Sequence, residues 1–367
     1  MRVVGIVLLA LLAASCGSPS GSPTALSPAT STTSSTPLAS ASPQSYAASP
    51  NNTSPGSAAA GARSSAAATY DEASSQVVLF GGEGPPTTNA GFDYLGDTWV
   101  WDGRSWTRED AKGPSPRFAA TMAYDAARGQ VVLFAGLPAG DLSSETWTWD
   151  GHAWTQRHPA VSPPARQFAS MVYDAARRVV VLFGGQTVSP TTPILNDTWT
   201  WDGTSWTQQH PARSPAARIA AAITYDSARE RVVLFGGDPG QGQAFSGGDG
   251  DTWTWDGANW SPASPGASPP PRAWAALAYD AAVGKSVLFG GLSGPQATLM
   301  NDTWTWDGAH WAQHGPPGSP PPRQDASMVY DTAQQVVLLY GGQGASEPNR
   351  YLADTWAWDG VAWSPRG

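Results

Sequence analysis

An arginine recurs six times in this 367-residue chain, at intervals of 49 to 54 residues. A guanidinium presents five N–H donors in a planar fork that suits a carboxylate, so a cluster of them could hold an acidic peptide or a uronic acid. The alternative is structural, with each arginine donating to backbone carbonyls of a neighbouring repeat. The binding hypothesis names Arg117, Arg166, Arg218, Arg272 and Arg323, with Arg63 as an additional candidate.

A second recurring feature is the motif DTWxWDGxxW, which places three tryptophans within eight residues. Exposed indoles could stack on sugars, whereas buried ones bury about 150 to 250 Å² each and would hold repeats together. Because a ligand site seldom needs six copies, we favour packing and expect Trp99, Trp199 and Trp304 to be buried. The copies begin at Asp97, Glu145, Asp197, Asp251, Asp302 and Asp354.

Four strand-like segments lie between one arginine and the next. An alanine stands three residues after each arginine and a Tyr-Asp pair after seven; then come a VVLFGG-like run, a variable loop and the tryptophan motif. The runs are β-branched, aromatic or alternating, and Asp-Gly favours a hairpin, with either a two-residue or a four-residue loop. If the first strand is innermost, only small side chains such as alanine fit near the axis. A period near 50 with four β segments is typical of a propeller blade.

The arginine at the start of the first strand, the double glycine after the second, and the aromatic residues across the third and fourth resemble the kelch repeat. They are most similar to the kelch-like propeller of galactose oxidase, although the WDG turn is tighter. The resemblance covers residues 62–367 and implies an all-β, six-bladed kelch-like propeller around a central channel. Blades should start near residues 63, 117, 166, 218, 272 and 323. We expect the first and last blades each to be contiguous in sequence, with closure through packed tryptophan faces.

Three chemistries were tested on these residues. Galactose oxidase-like copper chemistry would need a cysteine cross-linked to a tyrosine, but the one cysteine is Cys16 and the five histidines have no metal-ligand spacing. A sialidase-like site would need unusual carboxylates in one or two blades. The segment from Gly247 to Asp251, GGDGD, with Asp238 upstream, matches no 12-residue calcium loop and reads as a polar loop. We therefore expect no cofactor, no metal and no catalytic residues.

The N-terminus predicts export. Residues 1–15 have the layout of a signal peptide, and LAASC resembles the lipobox of bacterial lipoproteins, so Cys16 is the predicted lipidation site. Residues 16–61 are Ser, Thr, Pro, Ala and Gly with little charge, which predicts a disordered tether with a reach of roughly 35 to 40 Å. The net charge of -9 argues against nucleic acid. We expect a monomer held to the membrane by its lipid alone, on the outer face of the cell membrane or in the envelope.

The loops between the second and third strands differ in all six repeats, and loops on a rigid scaffold commonly carry function. They should emerge on the face where the arginines start. We expect exposed ligand-binding aromatics at Tyr94, Phe245 and Tyr351, with Phe92 and Arg350 nearby. The favoured function is a non-catalytic binding module for a protein or glycan. The alternatives are a secreted carbohydrate-active enzyme with a site over the channel, and a purely structural envelope component.

Overall fold

The computed structural model describes residues 59–86, 93–188, 194–240, 245–316, 318–345 and 350–366. Within those ranges the chain forms six four-stranded antiparallel sheets and no helix. No helix that could span a membrane therefore occurs in the described part of the chain. The predicted signal peptide, Cys16 and nearly all of the predicted tether lie outside the described residues.

Each sheet is one contiguous blade, in which successive strands run from the axis outwards. Blades 1 to 3 consist of Ala67–Asp71, Gln76–Gly84, Asp93–Trp101 and Trp106–Glu109; Thr121–Asp125, Gln130–Phe134, Thr146–Trp149 and Trp154–Arg157; and Ser170–Asp174, Val179–Gln186, Ile194–Trp201 and Trp206–Gln209. Blades 4 to 6 consist of Ala222–Asp226, Arg231–Phe235, Thr252–Trp255 and Trp260–Ala263; Ala276–Asp280, Lys285–Phe289, Thr303–Trp306 and Trp311–His314; and Ser327–Asp331, Val336–Tyr340, Thr355–Trp358 and Trp363–Arg366. Two smaller sheets consist of short strands. In one, Arg117–Phe118 pairs with Leu137–Pro138; in the other, Leu292–Ser293 lies between Arg272–Ala273 and Thr298–Leu299 and pairs with both.

The inner strands contact each other in cyclic order, and the first also contacts the last. This confirms a closed all-β propeller. The second strand of each blade is the most deeply buried, because both of its faces pack against neighbouring blades; Val180, Leu182 and Phe183 are at most 1 % exposed. Apolar side chains on alternate faces of VVLF therefore supply two different inter-blade cores from one strand.

The tryptophan motif forms the outer hairpin of each blade. Trp201 pairs directly with Trp206 across a four-residue loop, so the longer of the two predicted registers is the observed one. The Asp202 carboxylate accepts hydrogen bonds from the backbone N–H groups of Thr204 and Ser205, both at 2.8 Å, and only Gly203 of the Asp-Gly pair has positive φ. A side chain that caps its own loop therefore replaces the primed turn that Asp-Gly usually favours.

All three tryptophans of a motif share one face and pack between blades. Trp99, Trp199 and Trp304 are at most 8 % exposed, which confirms the packing prediction for them. The third tryptophan of each motif donates from its indole N–H to a threonine of the preceding blade, as from Trp206 Nε1 to Thr146 Oγ1 at 2.9 Å. Each blade interface thus combines aromatic burial with a buried hydrogen bond.

Ring closure uses the same contacts as the other interfaces. Trp106 of blade 1 donates to Thr355 of blade 6 at 3.3 Å, and its ring lies 4.8 Å from that of Tyr340. Both terminal blades are contiguous in sequence, as predicted. The folded region begins earlier than residue 62, however: Ala60 is fully buried and Gly61 accepts a bond from the Tyr340 hydroxyl at 2.7 Å. The end of the predicted tether is therefore ordered, because it covers the seam between the last and first blades.

The double glycines are needed where neighbouring blades approach most closely. A Cβ on Gly236, whose φ is +66°, would lie 2.4 Å from the carbonyl oxygen of Arg272 in the next blade. A Cβ on Gly237 would lie 3.1 Å from the Cβ of Ala221 in the same blade. The recurring alanines are therefore small because the second glycine of their own blade packs against them, a different reason from crowding at the axis.

Candidate binding face at the mouth of the channel

Each recurring arginine is the centre of a hydrogen-bonded clamp within its own blade. Arg272 donates to both carboxylate oxygens of Asp302, at 2.6 and 2.8 Å, to the carbonyl of Gly290 at 2.9 Å and to that of Pro270 at 3.0 Å. The six guanidiniums are 0 to 3 % exposed. Their carboxylate partners are Asp97, Glu145, Asp197, Asp251, Asp302 and Asp354.

This geometry changes what the arginines can do. Their charge is balanced by the carboxylate of the first residue of each tryptophan motif, for which no role was predicted. Although burial alone would raise the pKa of Asp302, the hydrogen bonds and charge of Arg272 hold it below its ordinary value. The side-chain bonds stay within the blade, so the expectation of bonds to neighbouring blades is wrong. Enclosed and paired as they are, these groups offer no open fork to a ligand, and any binding function has to be sought on the loops around them.

A closed circle of backbone hydrogen bonds joins the six blades next to the arginines. The residue two positions after each arginine has a φ between +50° and +55°, and its N–H donates to the carbonyl of its counterpart in the preceding blade at 2.9 to 3.1 Å. We call these six residues the mouth ring: Ser65, Ala119, Phe168, Ala220, Trp274 and Asp325. The ring fixes their side chains at the loop face, where the variable loops and blade linkers meet.

Two large aromatic side chains of the mouth ring lean together. The rings of Phe168 and Trp274 have their centroids 6.2 Å apart at an interplanar angle of 88°. Because Ala220 stands between these residues in the mouth ring, their side chains can meet only above it. Both are half-buried, so aromatic surface is left to solvent at the mouth.

Further aromatic residues extend this pair over the loop face. Phe118 lies 5.9 Å from Phe168, Tyr94 lies 5.6 Å from Phe118, and Phe245 lies 5.5 Å from Trp274. We call these five residues the aromatic arc. They come from five blades and each contacts the next edge-on or tilted, which is the geometry that aromatic pairs prefer. The predicted candidates Tyr94 and Phe245 are its two ends.

The remaining part of the mouth is polar. Asp325 is half-buried and accepts a hydrogen bond from the Ser65 side chain; Glu83 accepts one from Ser64 at 3.1 Å. Burial raises the pKa of Asp325 well above its ordinary value, and the charge of Glu83 raises it further. Burial also raises the pKa of Glu83, against the Ser64 bond and the charge of Arg350. Two carboxyl groups that resist ionisation therefore lie beside the aromatic arc.

The other predicted loop residues have different surroundings. Tyr351 is only 7 % exposed, so the expectation of an exposed ring is wrong; it pairs with Gln343 in a β-bridge and the Arg350 guanidinium lies 5.6 Å from its ring centroid. Phe92 lies outside the described residues.

The GGDGD loop uses its carboxylates within the protein. Asp249 and Asp251 both pair with Arg218, at 3.3 and 2.6 Å, and Asp238 accepts a bond from the Ser246 hydroxyl at 2.6 Å. In the described part of the chain no group of three or more histidine, cysteine, aspartate or glutamate side chains has the arrangement of a metal site.

The mouth ring was not predicted, although the sequence held a signal for it. The second position after the recurring arginine changes from serine to phenylalanine, tryptophan and aspartate in a unit that otherwise repeats closely. Such a variable position at the start of the innermost strand must face either a neighbouring blade or the channel. The predicted ligand-binding aromatics came from the long variable loops only, so this position was not among them.

A family model described as the KLHDC2/KLHL20/DRC7 Kelch-repeats domain matches residues 176–364, from the first turn of blade 3 to the outer strand of blade 6. A comparison with characterised proteins finds no match.

Proposed function

This chain belongs to the kelch-repeat family, and on that premise we propose that it is a surface-anchored, non-catalytic module that captures a protein through the loop face of its propeller. Kelch-repeat domains are commonly protein-binding modules. The observation that carries the proposal is the aromatic arc. Half-buried aromatic side chains clustered at one point of a rigid scaffold are the kind of residue that dominates binding energy at protein interfaces.

Export and anchoring complete the proposal. The lipobox-like LAASC sequence would place a lipid on Cys16, and the Ser/Thr/Pro/Ala-rich segment after it would hold the propeller away from the membrane surface. A chain in which Cys16 is replaced by Ala should then lose its partition into the detergent phase. If that variant stays with the membrane, Cys16 is not the anchor.

A carbohydrate-active enzyme is a second candidate, favoured by the two carboxyl groups at the mouth. A glycosidase needs one carboxyl group that stays protonated and a second that is ionised, and burial raises the pKa of both Asp325 and Glu83. Hydrolysis of aryl glycosides by the wild-type chain, lost in Asp325→Asn, would support this function. Kelch domains are generally non-catalytic interaction modules, so we expect no hydrolysis.

The binding proposal is tested by screening the full chain in detergent against a random peptide library and a glycan array. We expect selected peptides to bind the wild-type chain and to bind the Trp274→Ala chain at least about tenfold more weakly, as loss of a central interface aromatic does. Glycans bound in place of peptides, or peptides indifferent to Trp274→Ala, would contradict the proposal.

A further inference from the structure

The mouth ring has an apolar part and an acidic part within one hydrogen-bonded circle. Phe168 and Trp274 lie on either side of Ala220, and Asp325 follows Trp274 directly, with its N–H donating to the Trp274 carbonyl at 3.0 Å. Ser65 comes next, and its N–H donates to the Asp325 carbonyl at 3.1 Å. An aromatic face and a carboxyl group are therefore adjacent positions of one rigid hydrogen-bonded circle.

A second carboxylate reinforces the acidic part. The backbone of Glu83 exchanges two hydrogen bonds of 2.9 Å with Ser64, the residue before Ser65, and its charge acts on Asp325. Tyr94 lies opposite Glu83 in the strand pairing of blade 1, and the Glu83 charge acts on its phenol. The aromatic arc and the carboxyl pair therefore meet again on this side of the mouth.

The charges that face this pair come from two blades. Asp325 is influenced by Glu83 and by the Ser65 hydroxyl, and Glu83 by Ser64 and Arg350. Arg350 also lies over the ring of Tyr351. The groups that shift the pKa of Asp325 in the described part of the chain are Glu83 and the Ser65 hydroxyl, and neither is a cation. Arg350 therefore offsets the negative charge of Glu83, whereas no cation is among the groups that shift the pKa of Asp325 in the described part of the chain.

We propose that the mouth takes the cationic side chain of a lysine or arginine, presented by an extended segment of the captured protein. The inference rests on the proposed binding function and names the chemistry of its central contact. An alkyl stem would lie against Phe168 and Trp274, and the cationic end would approach the indole face and the carboxyl group of Asp325. An acidic peptide would instead meet two carboxyl groups, with the recurring arginines already enclosed by their own aspartates and glutamate.

The partner chemistry follows from complementarity of both shape and charge. Long basic side chains are the ones that present an apolar stem and a charged end together, which matches an aromatic surface bordered by carboxyl groups. The protein has a net charge of -9, so a basic segment is also attracted at longer range. A neutral apolar side chain of the same length would gain the aromatic contact alone.

The test uses the full chain in detergent and the tightest peptide selected from the random library. Each lysine of that peptide is replaced in turn by norleucine, which keeps the four-carbon stem, and each arginine by citrulline, which keeps the length; both replacements remove the charge. We expect one position at which the replacement weakens binding roughly tenfold, the size of a desolvated cation–π and carboxylate contact. In Asp325→Asn this preference for the cation should fall to within about threefold of the neutral analogue, as expected when the carboxyl contribution is lost.

The pH profile provides a second readout. Because burial and the charge of Glu83 raise the pKa of Asp325, its carboxyl group ionises only as the pH rises through that raised range, and the preference for lysine over norleucine should grow with it. Asp141→Asn is the matched control, since Asp141 is an exposed carboxylate in the loop of blade 2; it should leave the preference and its pH profile unchanged.

The outcomes separate the two proposals. Selected peptides that bind through Trp274 but tolerate norleucine or citrulline at every basic position would overturn the cation inference and leave the binding function standing. Selected peptides that contain no basic residue would overturn it equally. No peptide binding by the wild-type chain would overturn both.

Discussion

At the scale of single residues, aspartate has two different roles in this protein. An aspartate under a recurring arginine is ionised and stabilising, because the guanidinium and an indole N–H both donate to it, as at Asp302 with Arg272 and Trp304. The aspartate at the mouth, Asp325, is influenced instead by the charge of another acid, Glu83, and its pKa is raised. We infer that the first kind maintains the blade and the second is kept for a ligand.

Removing the carboxylate from one clamp should be costly. Asp302→Asn leaves a fully buried guanidinium without its counter-ion, and we expect a loss of about 3 to 5 kcal/mol in the free energy of unfolding. Glu145→Gln is the matched control, since Glu145 is 38 % exposed and its partner Arg117 also donates to the hydroxyls of Ser143 and Ser115. Urea unfolding should show a smaller loss there; equal losses would mean that the buried ion pair is not the source.

At Asp325 we expect removal of the carboxyl group to stabilise the protein rather than to destabilise it. Its pKa is raised on folding, so the folded state binds the proton more tightly and stability falls as the pH rises from the unfolded pKa, about 3.9, towards the folded one. Asp325→Asn cannot ionise and should melt at a higher temperature than the wild type at neutral pH. The difference should shrink at pH 3; a difference that does not depend on pH would contradict this account.

At the scale of elements, the outer hairpin combines a repeated turn with contacts that change between blades. Gly203 and Gly151 have φ values of +95° and +97°, so both turns need glycine for the same backbone reason. A Cβ at Gly203 would meet the Arg128 side chain at 1.9 Å, whereas a Cβ at Gly151 meets nothing within 4 Å. Arg128 of blade 2 donates to Asp125 and to the carbonyl of Arg178 in blade 3, so the hairpin of blade 3 packs over an inter-blade contact.

Gly151→Ala and Gly203→Ala form a pair that separates the two effects. Backbone strain alone should cost about 1 to 3 kcal/mol in Gly151→Ala. Gly203→Ala should cost more, because the Arg128 side chain must also move. Thermal unfolding of both variants measures the difference, and equal melting temperatures would show that the Arg128 contact contributes nothing.

At the scale of the whole molecule, closure of the ring makes blade 1 and blade 6 neighbours like any others. Trp106→Ala at the closing interface and Trp206→Ala at an internal one should each cost about 3 to 5 kcal/mol, as deletions of large buried aromatics do. Both should unfold in a single transition. If Trp106→Ala has nearly normal stability and Trp206→Ala is strongly destabilised, the interface between blades 6 and 1 contributes little to the free energy of unfolding.

Much of this architecture follows from the sequence, because a repeated unit reports its own constraints six times. The strand order, the contiguous blades and the buried Trp199 follow from periodicity and side-chain size. The clamp partners and the hydrogen bonds of the mouth ring do not, since they depend on which side chains and backbone atoms the folded blades bring together. Tyr351 was wrongly predicted to be exposed, because its position in a loop does not reveal that its backbone pairs with Gln343 and that the Arg350 guanidinium lies over its ring.

We propose the aromatic arc on the loop face as the binding surface. The most direct measurement is the dissociation constant of a library-selected peptide for the wild-type chain, for Phe168→Ala with Trp274→Ala, and for Val283→Ala with Val361→Ala. The two valines are 45 and 77 % exposed in turns at the opposite end of the blades, so their replacement is a matched surface change. We predict that binding weakens at least about tenfold in the mouth variant and is unchanged in the valine variant. Unchanged binding in the mouth variant, at normal melting temperature, would contradict the account.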